Sequence, residues 1–174
     1  MTALPIVLYP NPVLTAPTRK VTLTNELRNL ITQMVESMHR AEGVGLAATQ
    51  IGQSLRLCVL EHEPDSPDDP LEAVPLQVLV NAKIISHTGG QDTVKEGCLS
   101  LPGIEVPVTR ARKIKVKAFD QDGRAVQFRA AGFHARIIQH ELDHLDGRLI
   151  IDHAKNPHKT IEEYLSTRST KSKK

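Results

Sequence analysis

The sequence has no tryptophan, and aromatic residues make up only 3% of its 174 residues. A folded core must therefore be built mainly from Leu, Ile, Val and Ala. Its two cysteines, Cys58 and Cys98, allow at most one disulfide, which is not the pattern of a secreted disulfide scaffold. No apolar run approaches the length that spans a membrane, and the first residues lack the character of a signal or transit peptide. These absences predict a protein of the reducing cytoplasm.

The charge balance is also nearly even, because the formal net charge is only +2. Such a small bias argues against a dedicated nucleic-acid binder with sequence specificity. Positive charge collects instead in residues 168–174, which we expect to form a disordered basic tail. That tail is either solubilising or makes a weak contact with an acidic surface such as ribosomal RNA. A chain of this length buries one core, so residues 1–167 are predicted to form a single domain.

Hydrophobic periodicity predicts three helices. The first starts after Thr24, a typical N-cap residue, and buries one face with the spacing three and four. The second covers residues 133–145 and ends at Gly147, and a short third helix begins near Asn156 and Pro157. The apolar positions that define these helices are Leu27, Leu30, Ile31, Met34, Val35 and Met38, then Phe133, Ile137, Ile138, Leu142 and Leu145, and finally Ile161 and Leu165.

Strands are predicted in the middle of the chain, at residues 55–60, 76–80, 112–119 and 126–130. The third of these alternates lysines with apolar residues, which is typical of an antiparallel strand with one wet face. A Pro- and Asp-rich loop is expected between the first two strands. Strands in the middle with helices on either side indicate an α+β fold with mostly antiparallel sheet.

Residues 140–144, His-Glu-Leu-Asp-His, carry the strongest chemical signal. Two histidines four positions apart lie on one face of a helix, so His140 and His144 can reach the same metal ion. Glu141 then stands next to them as a base for a water molecule. By itself this short pattern also fits a pair of surface histidines beside an acid.

A hydrolytic metal site usually has three protein ligands and one open position. The third ligand remains open between Cys98, in a glycine-rich loop, and the downstream residues His153 and His158. A thiolate favours softer divalent ions such as Fe(II), Zn(II) or Co(II). Small residues at 43–50 would let an extended peptide approach the backbone closely, and Gln50 adds an amide donor there. The same small residues equally fit a turn that ends a helix.

Taken together and in this order, three segments resemble the motifs of the peptide deformylase family. They are Gly-Val-Gly-Leu-Ala-Ala-Thr-Gln at 43–50, Glu-Gly-Cys-Leu-Ser at 96–100 and His-Glu-Leu-Asp-His at 140–144. The opening segment at 9–14 is similar too. The resemblance implies mostly antiparallel sheets around a central metal-binding helix, flanked by N-terminal and C-terminal helices. It also implies removal of the formyl group from N-terminal formyl-methionine of nascent polypeptides.

The resemblance further implies a role for each matching position. Cys98, His140 and His144 would hold one divalent metal ion, which is usually Fe(II) in this family, although Zn(II), Ni(II) or Co(II) suit the same ligands. Glu141 would be the general acid and base, while Gln50 and the backbone N–H of Leu99 would stabilise the oxyanion. Backbone groups of Val44, Gly45 and Gly97 would bind the main chain of the substrate. Its methionine side chain would be bound by Val94, Leu99, Phe133 and Ile137.

Some features of the surroundings leave alternatives open. Arg136 stands one turn before His140, where some relatives have an apolar residue in the methionine pocket, and the loop at 61–75 is expected to affect access to the cleft. Carboxylates that could orient the ligands are Glu96, Asp143 and Asp146. A bacterial cytoplasmic enzyme is favoured over a processed organellar one. The competing hypotheses are a zinc aminopeptidase or protease and a non-catalytic module that contacts the ribosome through its C-terminal region.

Overall fold

The computed structural model describes residues 2–64, 66 and 71–171, and only the backbone of residues 168–171. Three helices and five strands make up its regular structure, with 3-10 turns at Pro12–Leu14, Ala48–Ile51 and Ile150–His153. The helices are α1 (Asn25–Arg40), α2 (Gly132–Leu145) and α3 (Pro157–Lys171). The strands are β1 (Gly45–Ala47), β2 (Leu57–His62), β3 (Val74–Glu96), β4 (Val106–Phe119) and β5 (Ala125–Ala131). All pair antiparallel in the order β1-β2-β3-β4-β5, which confirms the α+β class.

Helix α1 begins where the sequence predicts. The side chain of Thr24 caps it by accepting a hydrogen bond from the backbone N–H of Leu27 at 3.3 Å. Its apolar face is buried against β1, β2 and the start of β3, where Leu46, Leu57, Val59, Val78 and Val80 lie. Helix α1 therefore covers one face of the sheet and leaves the other face to α2.

Helix α2 packs on that other face, through Ile138 and Leu142 against Ile114 and Val116 of β4. The helix ends with Asp146 as its C-cap, followed by Gly147 in the left-handed conformation, as the sequence predicts. The alternation in β4 is confirmed as well, since its lysines point outwards while the apolar residues between them are buried. The sheet thus presents an apolar face to the helix that carries the two histidines.

Strand β4 begins at Val106, six residues before its predicted start. Strands β3 and β1 differ more from the prediction. Strand β3 was expected only at residues 76–80 but runs to Glu96, with register shifts against β4 between Ile84 and Ser86 and between Thr88 and Gln91. Its outer half is exposed on both faces and rich in polar residues, so it has no apolar alternation to reveal it. Strand β1 is three residues long, which is too short to give a periodic signal. Both strands border the functional cleft.

Helix α3 starts after Asn156, whose side chain accepts a hydrogen bond from the N–H of Lys159. Its buried contact is Tyr164, while the predicted Ile161 and Leu165 are half-buried beside it. The helix continues to Lys171, so the proposed tail overlaps its last turn. Residues 172–174 lie outside the described residues, and the disorder of the tail stays a prediction. No helix in the described part of the chain is both long and apolar enough to cross a bilayer.

Candidate metal centre and its cleft

A cleft of about 1160 Å³ opens between α2, the end of β3 with its following loop, and β1. Three chain segments that are distant in sequence meet there because α2 contacts both β1 and β3. Except for His144, which is buried behind it, every residue to which the family resemblance assigns a role lines this cleft: Val44, Gly45, Gln50, Val94, Gly97, Cys98, Leu99, Phe133, Ile137, His140 and Glu141. Leu71 from the loop between β2 and β3 also borders it.

The structure brings Cys98, His140 and His144 together. One ligand atom from each lies within 4.8 Å of the others, and Cys98 Sγ is 3.3 Å from His144 Nε2. Among the described residues no other such group of three occurs. His153 instead contacts the carboxylate of Asp143 at 2.7 Å, and His158 is exposed. Of the three candidates for the third ligand, only Cys98 is therefore placed beside the histidine pair.

The environment of the two histidines fits a bound cation. His140 Nδ1 lies 3.0 Å from Glu96 Oε2. Burial alone would lower the pKa of His140, but its hydrogen bonds to Cys98 and Glu96 outweigh this and raise the pKa to about 10. Burial, together with the charges of His140 and Arg110, holds the pKa of His144 well below its ordinary value, so that ring is a neutral donor. A thiolate, a neutral imidazole and an imidazole backed by a carboxylate form a donor set suited to a soft divalent metal ion.

Glu141 lies next to these donors and is only 3% exposed. Burial raises the pKa of its carboxyl group to about 7, and its Oε2 has no hydrogen-bond partner among the described residues. The carboxylate lies in close contact with β1, since a Cβ atom added to Gly45 would lie 2.3 Å from Glu141 Oε1. Only glycine at position 45 leaves room for the acid in this position. The group is therefore poised to accept and release a proton near neutral pH.

Gln50 supplies an amide donor on the other side of Cys98. Its Oε1 accepts a hydrogen bond from the N–H of Ala47 at 2.9 Å, which orients the side chain. The amide nitrogen then points to Ser100 Oγ at 3.3 Å and to Cys98 Sγ at 3.7 Å. Gln50 is 1% exposed, so this amide is held in a fixed position at the floor of the cleft.

A network of buried charges lies behind the histidines. Arg110 donates from Nε and Nη2 to the two carboxylate oxygens of Glu96, at 3.0 and 2.9 Å, and contacts Asp143 at 2.5 Å. Of the three carboxylates considered from the sequence, Glu96 contacts His140, Asp143 joins through Arg110, and Asp146 pairs with Arg56 instead. Arg110 was missed by the sequence reasoning. Its signal was an arginine among the apolar residues of a strand, which requires a buried acid as partner.

Comparison with known proteins places the chain among characterised sequences and structures. The family model described as polypeptide deformylase matches residues 3–160. The peptide deformylase of Dictyoglomus thermophilum is 45% identical over 158 residues, covering 90% of this chain and 92% of the relative. A crystal structure of peptide deformylase from Ehrlichia chaffeensis in complex with actinonin has 30% identity, a TM-score of 0.89 and full coverage of both chains. A Met-Ala-Ser-bound class I type b enzyme from Acinetobacter baumannii has 32% identity and a TM-score of 0.82, covering 87% of this chain and 98% of the other.

Proposed function

Since the chain belongs to the peptide deformylase family, we propose that Cys98, His140 and His144 hold its metal ion and that Glu141 transfers the proton of the reaction. As a member of this family the protein is a metal-dependent hydrolase that removes the N-formyl group from nascent polypeptides. The observation that carries the assignment of residues is the meeting of one thiol and two imidazoles within 4.8 Å, beside a buried carboxyl group.

The metal ion is proposed to be Fe(II), with Zn(II), Ni(II) and Co(II) as ions that the same donors accept. One sulfur and two nitrogen ligands leave a fourth position open, as in other hydrolytic sites. When bound, such an ion polarises a carbonyl group and makes water more acidic. Glu96, itself held by Arg110, would keep the His140 ring turned towards the ion.

The protein residues divide the remaining chemistry between them. As water adds to the formyl carbon, Glu141 accepts one of its protons and delivers it to the amine nitrogen while the C–N bond breaks, which yields formate. A pKa of about 7 suits a group that must both take up and give back a proton. The negative charge on the formyl oxygen would be met by the amide of Gln50 and the backbone N–H of Leu99, both fixed before the substrate arrives.

The substrate is proposed to lie extended along β1. This strand is at the end of the sheet, so one of its edges is available to pair with another chain. Backbone groups of Val44, Gly45 and Gly97 would bind the peptide main chain. The first side chain would enter the apolar pocket of Val94, Leu99, Phe133 and Ile137, which all line the cleft. The peptide in the Acinetobacter structure, Met-Ala-Ser, supports a site for an N-terminal methionine.

The setting of the enzyme is proposed to be the bacterial cytoplasm, which the bacterial sources of its relatives support. A contact with the ribosome through the C-terminal region is proposed as well, because the substrate is a nascent chain and the last residues are basic. Truncation after Leu165 tests this contact. It should weaken co-sedimentation with ribosomes while small formylated peptides are still hydrolysed at the same rate.

The assignment is tested by formate release from formyl-Met-Ala-Ser, with bound metal counted in the same anaerobic sample. Cys98→Ala should lose both metal and activity, whereas Glu141→Ala should keep the metal and lose turnover. Cys58→Ala is the matched control, because Cys58 lies in β2 and faces the core. Retention of both metal and activity by the Cys98 variant would contradict the assignment.

A further inference from the structure

Arg136 occupies an unusual place for a charged residue. It lies on α2 one turn before His140, it lines the cleft, and its side chain is only 11% exposed. Among its hydrogen-bond partners only Glu96 belongs to the proposed site, where its other carboxylate oxygen contacts His140. Nη1 donates to Glu96 Oε1 at 2.6 Å and to the carbonyl oxygen of Val108 at 3.1 Å. Nη2 donates to the carbonyl oxygen of Asp92 at 3.3 Å and to its carboxylate.

Two of these partners, Asp92 and Glu96, lie on the wall of the cleft opposite α2. Asp92, Val94 and Glu96 are alternate residues of β3, so they share one side of the strand, and all three line the cleft. Arg136 therefore binds β3 two residues before and two residues after Val94, at Asp92 and Glu96. Val94 itself is 47% exposed, so packing does not fix its position.

Backbone pairing with β4 is regular from Gln91 to Glu96, but this pairing does not hold the segment against α2. The ladder between β3 and β4 shifts register between Thr88 and Gln91, immediately before Asp92. Beyond the shift, the described side chains on the outer half of β3 are mostly exposed, and the sheet neighbour is β4 alone. The two ion pairs of Arg136 tie this segment to a helix that packs firmly on the core.

We propose that Arg136 is a positioning residue that fixes the β3 wall against α2 and thereby sets the width of the pocket for the first side chain of the substrate. The inference rests on the proposed function, in which Val94 faces Phe133 and Ile137 across that pocket. A fixed width favours a long, unbranched side chain that touches both walls. Without Arg136, Val94 moves away and the contact that distinguishes methionine from a shorter residue is weakened.

The test compares Arg136→Met with Arg112→Met. Methionine keeps an unbranched apolar side chain on α2 but removes both ion pairs. Arg112 is the matched control, because its Nε also approaches Asp92, at 3.8 Å, from a position 59% exposed and outside the cleft. For each variant, kcat and KM are measured with formyl-Met-Ala-Ser and formyl-Ala-Ala-Ser, together with bound metal and the Kd of Met-Ala-Ser.

In Arg136→Met, KM for the methionine peptide and the Kd of Met-Ala-Ser should rise about tenfold, while kcat stays within threefold. The preference for formyl-Met over formyl-Ala in kcat/KM should fall at least fivefold. Metal content should be unchanged, since Arg110 still holds both oxygens of Glu96. Arg136→Lys should recover part of the preference, and Arg112→Met should match the wild type within twofold.

A second variant keeps the inference testable if Arg136→Met does not fold. Asp92→Ala removes the outer ion pair of Arg136 together with the contact to Arg112, which Arg112→Met removes by itself. At a side chain 42% exposed, it should lower the preference in the same direction by a smaller factor. An active, metal-loaded Arg136→Met or Asp92→Ala enzyme with the wild-type preference overturns this inference alone. A wild-type enzyme that releases no formate overturns the proposed function, and this inference with it.

Discussion

Replacing Gly45 by alanine tests whether the close contact between β1 and Glu141 serves the reaction. The added Cβ would lie 2.3 Å from Glu141 Oε1, whereas ordinary contacts begin near 3.4 Å. Either the carboxylate moves by roughly 1 Å or strand β1 shifts. Gly45 has no positive φ, so the backbone itself accepts alanine. The single methyl group therefore acts on the position of the acid.

The expected loss of activity follows from that displacement. A misplacement of about 1 Å costs on the order of 100-fold in rate, so kcat for formyl-Met-Ala-Ser should fall by about two orders of magnitude. Overpacking of a buried contact costs about 1–3 kcal/mol. In a domain of this size each kcal/mol lowers Tm by about 2–4 °C. Bound metal should remain at the wild-type level, because the added methyl group is directed at Glu141 and not at the three ligands.

The assay is formate release at saturating substrate, with metal content and thermal unfolding recorded for the same preparation. Gly97→Ala is the control for adding a methyl group at a cleft glycine, since its nearest neighbour would be the carbonyl oxygen of Ile104 at 4.0 Å. It should keep the Tm and the metal content. A Gly45→Ala enzyme that is folded, metal-loaded and within threefold of the wild-type kcat would refute the reasoning about Glu141.

Three further predictions concern the thiols, the pH dependence of stability and the end of α2. Cys58 is fully buried and burial raises the pKa of its thiol, so the native metal-free protein should titrate one rapidly reacting thiol, Cys98, and a second only after unfolding. Folding raises the pKa of Glu141 from 4.5 to about 7. Between these two pH values the folded protein keeps a proton on Glu141 that the unfolded chain has already released. Urea unfolding of the metal-free protein should therefore show the wild type losing stability relative to Glu141→Gln as pH rises from about 4.5 to 7. In Gly147→Ala the residue must keep a positive φ and its Cβ would lie 2.6 Å from the carbonyl oxygen of Thr15. The free energy of unfolding should therefore fall by about 2–5 kcal/mol.

Each of these predictions has a result that would contradict it. Rapid reaction of two thiols in the folded protein would show that β2 opens. Parallel stability curves for wild type and Glu141→Gln would mean that the carboxyl group titrates as it does in the unfolded chain. For Gly147 the control is Gly103→Ala, which has φ +87 but no atom within 4 Å of the added Cβ, so it should lose only about 1–2 kcal/mol. If Gly147→Ala and Gly103→Ala lost the same free energy of unfolding, the contact with Thr15 would contribute nothing to the loss.

The helical part of the site is readable from the sequence, because spacing along a helix is local. His140 and His144 stand on one helical face whatever surrounds them, and the apolar residues between them predict which side is buried. The cap at Thr24 and the alternation in β4 are local signals of the same kind. The start of α1 agrees with the structure, and β4 ends where it is predicted to end but begins six residues earlier, at Val106.

The choice of the third ligand depends on long-range geometry and could not be derived from spacing alone. Cys98 reaches the histidines because β3 extends to Glu96, and nothing periodic in its polar outer half predicts that length. The same reason hid the role of Arg136, whose partners lie about 40 positions earlier on that strand. The family motifs supplied the ligand set where the residue pattern left it open.

The order in which the chain is made has a consequence for when the site can exist. Cys98 and His144 are 46 positions apart, and the helix that carries the histidines follows the whole sheet in sequence. A growing polypeptide that ends just after β5 contains every strand but only one of the three proposed metal ligands, Cys98. Metal capture must therefore be among the last events of maturation. Fragments that stop before Gly132 should bind neither metal nor substrate, so loss of the last quarter of the chain during synthesis leaves an inactive sheet rather than a weakened enzyme.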